Sequence, residues 1–387
     1  MSDGFVSLHA HFDFSPLDGA MKVKRGFTRA AELHQIALAI TDHGSMSGHW
    51  DAWCAGKETG VKPILGIEAY VAPLNLRHKE PVSWGTPEQK KLDVGGKGKA
   101  THMTMLALNV TGLRNLYKMQ YIAATEGFYG YPRIDLELME EYSEGILVTS
   151  GCAGSAISVR LRLGQRDEAI KYAERLRSIY GDNFFIEVMD HGIAEDDLDD
   201  KWLNTQLISL ADELDIPLVA TNDSHYCLDS DAGAHDAFLC LQTHSQLEDE
   251  KRFRFNGAGY HLKSADEMGT TLRDVPESAI ANTLAIANRV ESYDSHFEFK
   301  NRMPHLPEIT PEDEDEVLAE MCFRELEIRF GGAERYDEYL ARLIRELDVM
   351  KAAGFSGYHL VLGDILTWAT RQHIRIGPCR GSAGGSL

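Results

Sequence analysis

Apolar and polar positions along this chain fall into two rhythms that take turns. Residues Phe5-Val6-Ser7-Leu8-His9-Ala10-His11 form a short apolar run that reads as a strand, and residues 22–35 after it carry the apolar spacing of a helix. The alternation continues. Apolar runs at 36–44, 62–71, 102–108, 146–152, 184–189 and 217–225 read as strands. The stretches 47–59, 112–125, 155–180 and 201–214 between them read as helices, two of them within 155–180. Strands alternating with helices, about seven of them over roughly 240 residues, predict an α/β fold of the TIM-like (β/α)7 barrel type. In such a barrel the loops after the strands converge on one face, so residues distant in sequence can share one site.

Two stretches break the rhythm. Residues 74–100 are rich in Gly, Lys and Pro without periodicity and include Gly95-Gly96-Lys97-Gly98-Lys99. They predict a mobile surface insertion, its lysines either solvated or available to a phosphate backbone. Beyond residue 262 the strand signals fade. Helical stretches run from 277 to 290, 313 to 330 and 333 to 353, and Pro304, Pro307 and Pro311 mark an irregular connection. The expected division is a first domain over residues 1–262, with its insertion at 74–100, and a second, mostly helical region over residues 263–387.

Charge narrows the partners. With 39 Lys and Arg against 60 Asp and Glu, the net charge is -21, the wrong sign for a protein that coats nucleic acid by bulk electrostatics. Contact with a polyanion must be local or mediated by cations. The acidic runs 195–200 and 312–316 are expected at helix starts, where carboxylates complement the helix dipole. Six scattered cysteines suit a reducing compartment, and no apolar run reaches about 18 residues, so a cytoplasmic protein with no membrane partner is expected.

The candidate chemistry gathers at strand ends. His9 and His11 lie two apart on an extended chain and share a face. The second strand ends in Asp42-His43, the fifth in Cys152 and the last in Asp223 and His225, while His102 opens its strand rather than closing it. Glu68 is set among apolar neighbours and needs a partner there. Together with Asp18 these give the donor set His9, His11, Asp18, His43, Glu68, His102, Cys152, Asp223 and His225. Five histidines, three carboxylates and a cysteine exceed the four ligands of a structural zinc. They suit two or three divalent ions bridged by carboxylates, the usual arrangement for metal-assisted hydrolysis of a phosphate ester. Mixed N, O and S donors admit zinc, manganese or iron. Asp42 is the candidate catalytic residue, either orienting His43 or accepting a proton. The other histidines, among them His34, His49, His78, His191 and His235, lack this pattern and read as solvated or structural. The Gly-rich stretch 377–386 is either a linker or a loop in which Arg380, Gly381 and Ser382 cradle a nucleotide phosphate.

Ser7-Leu8-His9-Ala10-His11, Asp18-Gly19, Ala39-Ile40-Thr41-Asp42-His43-Gly44 and Gly66-Ile67-Glu68-Ala69-Tyr70-Val71 resemble the polymerase-and-histidinol-phosphatase (PHP) domain. Glu126-Gly127-Phe128-Tyr129, Pro132-Arg133-Ile134-Asp135, Asn222-Asp223-Ser224-His225-Tyr226, Arg252-Phe253-Arg254-Phe255 and Tyr260-His261-Leu262-Lys263-Ser264 narrow the resemblance to the C-family bacterial replicative DNA polymerases. It covers essentially the whole chain, since 354–358, Asp364, Trp368 and 377–386 resemble the start of that family's palm. Cys379 stands where Gly is usual, and Gly384 where Ala is usual. The resemblance implies a distorted PHP barrel followed by part of a polymerase palm, with all nine donors as ligands for up to three metals. It further implies a 3′-to-5′ exonuclease that removes misincorporated nucleotides from a DNA primer 3′ end. The implied partners are the rest of the polymerase and replisome subunits such as a sliding clamp, and the implied role of the 380–382 loop is to meet the incoming triphosphate. The palm aspartates are expected beyond Leu387, so this chain alone is not expected to polymerise. Two other readings stay open: a small-molecule phosphatase of the same superfamily, acting for instance on histidinol phosphate, and a non-catalytic module braced by metals.

Overall fold

A computed structural model describes residues 4–16, 18–194, 199–298, 303–377 and 386–387. Its strands are β1 (Ala37–Ile40), β2 (Lys62–Val71), β3 (Thr101–Ala107), β4 (Arg133–Ile134), β5 (Ile146–Thr149), β6 (Phe184–Val188) and β7 (Leu218–Ala220). They form one sheet in the order β1-β2-β3-β5-β6-β7, with the short β4 pairing β2 beside this path. The opening run holds its place through isolated bridges, Ser7 to Leu38 and Ala10 to Ser224, both parallel. Ala39 N donates to Ser7 O (2.9 Å) on one side, and His11 N donates to Ser224 O (2.7 Å) on the other. The opening run thus stands between β1 and the end of β7 and closes the sheet into a ring. This is the expected barrel, with one reversal: β3 pairs antiparallel with both β2 and β5, whereas the other pairings are parallel. A reversed strand presents its first residues where its neighbours present their last. That is why His102 opens its strand and still reaches the same mouth.

Helices cover the ring through stripes of apolar residues three and four apart. Ala169, Ala173, Leu176 and Tyr180 are the buried stripe of helix Arg166–Tyr180, and Leu203, Leu207, Leu210 and Ala211 serve helix Asp200–Leu214. The latter starts where Asp199 accepts from Trp202 N, and the acids Glu314, Asp315 and Glu316 occupy the first turn of helix Glu314–Phe330, so both acidic runs reach helix starts. Residues 195–198 lie outside the described residues.

Two compact units emerge, residues 1–297 and 298–387. The first extends past the boundary expected near 262 because helix Glu277–Arg289 plugs the end of the barrel opposite the mouth. Its Thr283 Oγ1 accepts from Val6 N (3.1 Å) and its Asn282 donates to Leu218 O (2.7 Å). Lys62 Nζ caps the carbonyls of Ala287 and Val290, both at 2.9 Å, and Tyr293 donates to Ala107 O at 2.5 Å. Residues 74–100 run over the surface but are tied down. The Asp93 carboxylate accepts from Trp84 N (2.9 Å) and Gly85 N (3.2 Å). The buried Arg133 guanidinium donates to Gly127 O (3.1 Å), Lys99 O (3.1 Å) and His78 O (2.9 Å). In the second unit helices Glu314–Phe330, Tyr336–Ala352 and Ser356–Arg371 bury Leu318, Leu326, Leu343 and Leu360. The last of these helices was not expected from spacing. Gly357 within it weakens the helical signal, and the close approach of the Glu314 carboxylate, 2.5 Å from where a Cβ would stand, explains the glycine. Among the described residues no helix is long and apolar enough to cross a membrane.

His49 ties helix His49–Thr59 to the barrel, its Nε2 donating to Gly66 O (2.8 Å) while its Nδ1 meets the Tyr117 hydroxyl (3.2 Å). Burial lowers its pKa from 6.5 to about 4. A depressed imidazole contributes stability in full above 6.5 and loses it as pH falls through about 4. Over that interval the wild type is expected to lose roughly 3 kcal/mol that His49→Gln does not lose. Urea melts of both proteins across the interval check this, and equal slopes would refute it.

Candidate metal centre

All nine candidate donors meet at the barrel mouth. The opening run brings His9 and His11, whose Nε2 atoms stand 3.2 Å apart. Asp223, just past β7, places Oδ1 3.3 Å from His9 Nε2 and 3.1 Å from His11 Nε2. Glu68 on β2 spreads one carboxylate across four rings. Its Oε1 lies 3.6 Å from His9 Nε2 and 3.2 Å from His102 Nδ1, and its Oε2 lies 3.4 Å from His11 Nε2 and closest of all to His43 Nδ1. Asp18 Oδ2 sits 2.8 Å from His43 Nε2 and 3.8 Å from His225 Nε2. Cys152, after β5, directs its thiol to Glu68 Oε1 (3.3 Å) beside His102 Nδ1 (3.7 Å). Three overlapping trios keep their donor atoms within 4.8 Å: His9, His11 and Asp223; His11, His43 and His225; His43, Glu68 and His102.

Backbone geometry works to aim these groups. Asp223 takes a left-handed φ of 43°, costly for a residue with a Cβ. Its neighbours enforce it: Ser224 N donates to His9 O (3.1 Å), and Asn222 Nδ2 donates to Gly259 O (2.9 Å) and His261 O (2.8 Å). Gly44, with φ of 55°, lets the Tyr70 ring lie 2.7 Å from where its Cβ would be.

The donor chemistry fits divalent cations. His9 Nδ1 bonds Glu187 (2.7 Å), His225 Nδ1 bonds its neighbour's carbonyl, Asp223 O (2.7 Å), and His11 Nδ1 bonds the Ser15 hydroxyl (3.0 Å). Ser15 spends its own proton on Asp42 Oδ1 (2.7 Å), so it accepts from His11. With each Nδ1 bonded outward, the three Nε2 atoms turn inward. Burial lowers the His9 and His225 pKa, but Asp223 with Glu187 around His9, and Asp223 with Asp18 around His225, outweigh it and raise both, so those two Nε2 atoms take a proton or a cation. Burial together with the neighbouring His43 and His225 lowers the His11 pKa to about 3, which keeps that lone pair available. Burial alone would raise the carboxylates, but His43 and His102 hold Glu68, and His9 and His225 hold Asp223, well below the usual carboxylate range. The Cys152 thiol is pushed well up by burial and by the Glu68 and Asp223 charges, and a cation is the charge that would bring it down. Asp18 Oδ1, His43 Nδ1, Glu68 Oε2, Asp223 Oδ1 and His225 Nε2 are buried without a hydrogen bond of good geometry among the described residues, the close His43–Glu68 pair included. Lone pairs crowded this closely call for positive charge between them.

Behind the donors stands a layer that sequence reading largely passed over. Glu187 on β6 accepts from His9, from Thr221 (2.6 Å) and from Thr149, and lies 3.3 Å from Thr104 Oγ1, fully inside the barrel. The signal was available, since Glu187 is a carboxylate among apolar strand neighbours just as Glu68 is. Asp42 does not touch the His43 ring. Its Oδ1 accepts from Phe12 N (2.7 Å) and from Ser15, and Ser15 accepts in turn from His43 N (2.9 Å) and His11. It therefore reaches the centre through a hydroxyl, and burial raises its pKa to about 6. His235 donates to Asp18 O (2.8 Å), and His191 stacks on Tyr260 with centroids 3.8 Å apart, so both are buried rather than solvated. Arg380, Gly381 and Ser382 lie outside the described residues.

Residues 7–191 match the family model of the PHP domain, and residues 316–387 match that of the bacterial DNA polymerase III alpha NTPase domain. The chain is 45% identical to the DNA polymerase III subunit alpha of Saccharopolyspora erythraea, over 100% of this chain and 32% of that one. Its identity to the same-named protein of Mycobacterium tuberculosis is 41%, over 99% of this chain and 32% of the relative. For Treponema pallidum the values are 36%, 99% and 31%. The chain spans about a third of the length of these relatives.

Partners that fix a ligand's orientation are worth about 10–100-fold in metal affinity. Glu187→Gln is accordingly expected to weaken binding of added manganese or zinc about tenfold or more, while the circular dichroism spectrum stays unchanged. Titration against a chromophoric chelator measures this, and wild-type affinity in the variant would remove Glu187 from any part in the centre.

Proposed function

The chain belongs to the family of bacterial DNA polymerase III alpha subunits, and from that premise we propose that its barrel is a metal-dependent phosphodiesterase acting as a 3′-to-5′ exonuclease on a DNA primer end. The observation that carries this reading is the convergence of all nine donors, His9, His11, Asp18, His43, Glu68, His102, Cys152, Asp223 and His225, at one mouth. The same proposal assigns the phosphodiesterase to the barrel of residues 1 to about 262 with the helix Glu277–Arg289 that plugs it, and the start of a polymerase palm to the second unit. Two or three divalent ions held by this set would supply a nucleophile at neutral pH and positive charge for the phosphate oxygens. The chain's own residues do the rest. His9, His11 and His225 turn Nε2 inward from rings anchored at Nδ1. Glu68, reaching four rings, and Asp223, reaching three, would hold the ions together with those rings. Asp42 acts as a positioning residue that holds Ser15, and through it His11, in one arrangement. The primer end, the remainder of the polymerase and replisome subunits such as a sliding clamp are the partners this reading assigns.

The test is excision of a 3′-mismatched nucleotide from a primer-template by the purified chain, with zinc, manganese or iron added in turn. His9→Ala and Asp223→Ala are expected to lower excision by more than about 100-fold, since even the partners behind ligands account for 10–100-fold. Undiminished excision in both variants would sink the assignment. Preference for a phosphomonoester such as histidinol phosphate over the primer would favour a small-molecule phosphatase. Bound metal without cleavage of any DNA end would favour a centre that only braces the barrel.

A further inference from the structure

A row of rings runs through the donor cluster and out of it on both sides. His11 stacks on His43 (centroids 4.1 Å) and on His225 (4.3 Å). Beyond His43 the row continues to Tyr70 (6.1 Å) and from Tyr70 to Tyr131 (4.4 Å). Beyond His225 it continues to Phe255 (4.7 Å) and from Phe255 to Phe253 (6.0 Å). The inner rings have donor work to do, but the two ends do not. Tyr131 is half-buried and Phe253 is 52% exposed, although a large apolar ring in water has a cost that a buried one avoids.

Each end also carries positive charge in a chain that is otherwise strongly acidic. The Gly-Lys loop 95–99 meets Tyr131 on the Cε2 and hydroxyl side of its ring, 2.5 Å from where a Gly96 Cβ would be, and Lys99 Nζ stands 5.1 Å from the centre of the Tyr129 ring. At the other end Arg254 flanks Phe253 on the exposed surface, with one guanidinium nitrogen on Leu247 O (3.2 Å), while Arg252 is committed to Asp236 (2.6 Å). Exposed rings interleaved with cations form the surface that single-stranded nucleic acid uses, bases on the rings and phosphates on the cations. Duplex DNA keeps its bases stacked on each other and offers none to a ring.

We propose that Tyr131 on Tyr70 and Phe253 on Phe255 are two base-stacking ledges that hold the last nucleotides of a single-stranded DNA 3′ end across the donor cluster, with Lys99 and Arg254 as the cations for its phosphates. The proposal rests on the phosphodiesterase reading of the same site. It adds that a primer end must leave its template to be held.

Fluorescence anisotropy of a short labelled oligothymidylate, with chelator present so that nothing is cut, measures the ledges without the reaction. Phe253→Ala and Tyr131→Ala are each expected to weaken binding roughly tenfold, while Phe253→Trp and Tyr131→Phe keep it. Arg254→Gln is expected to reduce the slope of log affinity against log salt by about 0.7. Unchanged affinity in both alanine variants, or equal losses for a blunt duplex, would overturn the ledges. If the wild type still trims DNA ends in that case, the phosphodiesterase reading survives. Lost binding in the variants together with a wild type inert toward every DNA end under every metal would instead uphold the ledges and remove the hydrolytic reading.

Discussion

Crowding of lone pairs and negative charge at the barrel mouth is the constraint on which the rest of this structure depends. Glu68 and His9 are about 1% or less exposed, and two imidazole nitrogens face each other at 3.2 Å. Ions buried in this way cost several kcal/mol each unless the surroundings answer them. The barrel answers with fixed partners: Glu187 behind His9, Ser15 and Asp42 behind His11, and a backbone carbonyl behind His225. What remains unanswered points inward, and the left-handed Asp223 is held in that direction by hydrogen bonds on both its neighbours. The strain and the desolvation thus sit in one place, as expected where local rules of folding yield to a site.

Much of this was legible in the sequence because strand ends are easy to read. An apolar run that stops at His9 and His11, at Asp42-His43 or at Asp223 and His225 announces both an element and a mouth. His102 carried a further message that periodicity could not decode. A histidine at the start of a strand belongs with the others only if the strand is reversed, and reversal is a property of pairing, which one run of residues does not contain. The same limit hid the layer behind the donors. Asp42 was noticed for its sequence neighbour, His43, yet its contacts are with Phe12 and Ser15, about 30 residues away along the chain. Glu187 shares the pattern of Glu68, but its purpose rests on three threonines from three other strand regions. The helix Glu277–Arg289 is legible as a helix but not as the plug of the barrel, because its amphipathic stripe does not state which surface it covers.

The acidity of the chain and the local distribution of cations describe two different surfaces. A net charge of -21 repels nucleic acid at a distance, whereas the Gly-Lys loop meets Tyr131 and Arg254 follows Phe253 at the two ends of the ring row. Such a protein gains little from long-range attraction to DNA. Engagement of a strand by the proposed ledges would come from short-range contacts, or from a partner that delivers the strand.

The opening run closes the ring by pairing Ala10 with Ser224. In a chain made from its first residue onward, His9 and His11 exist long before Asp223 does. At about 5–20 residues per second the wait is on the order of ten seconds or more. Until then the opening run lacks one of the two strands it joins, and a contact so distant along the chain is among the last to form. The trio His43, Glu68 and His102 belongs to strands that precede β7 and pair without it, whereas the trio His9, His11 and Asp223 needs the closed ring, so closure of the barrel and completion of the site are one event.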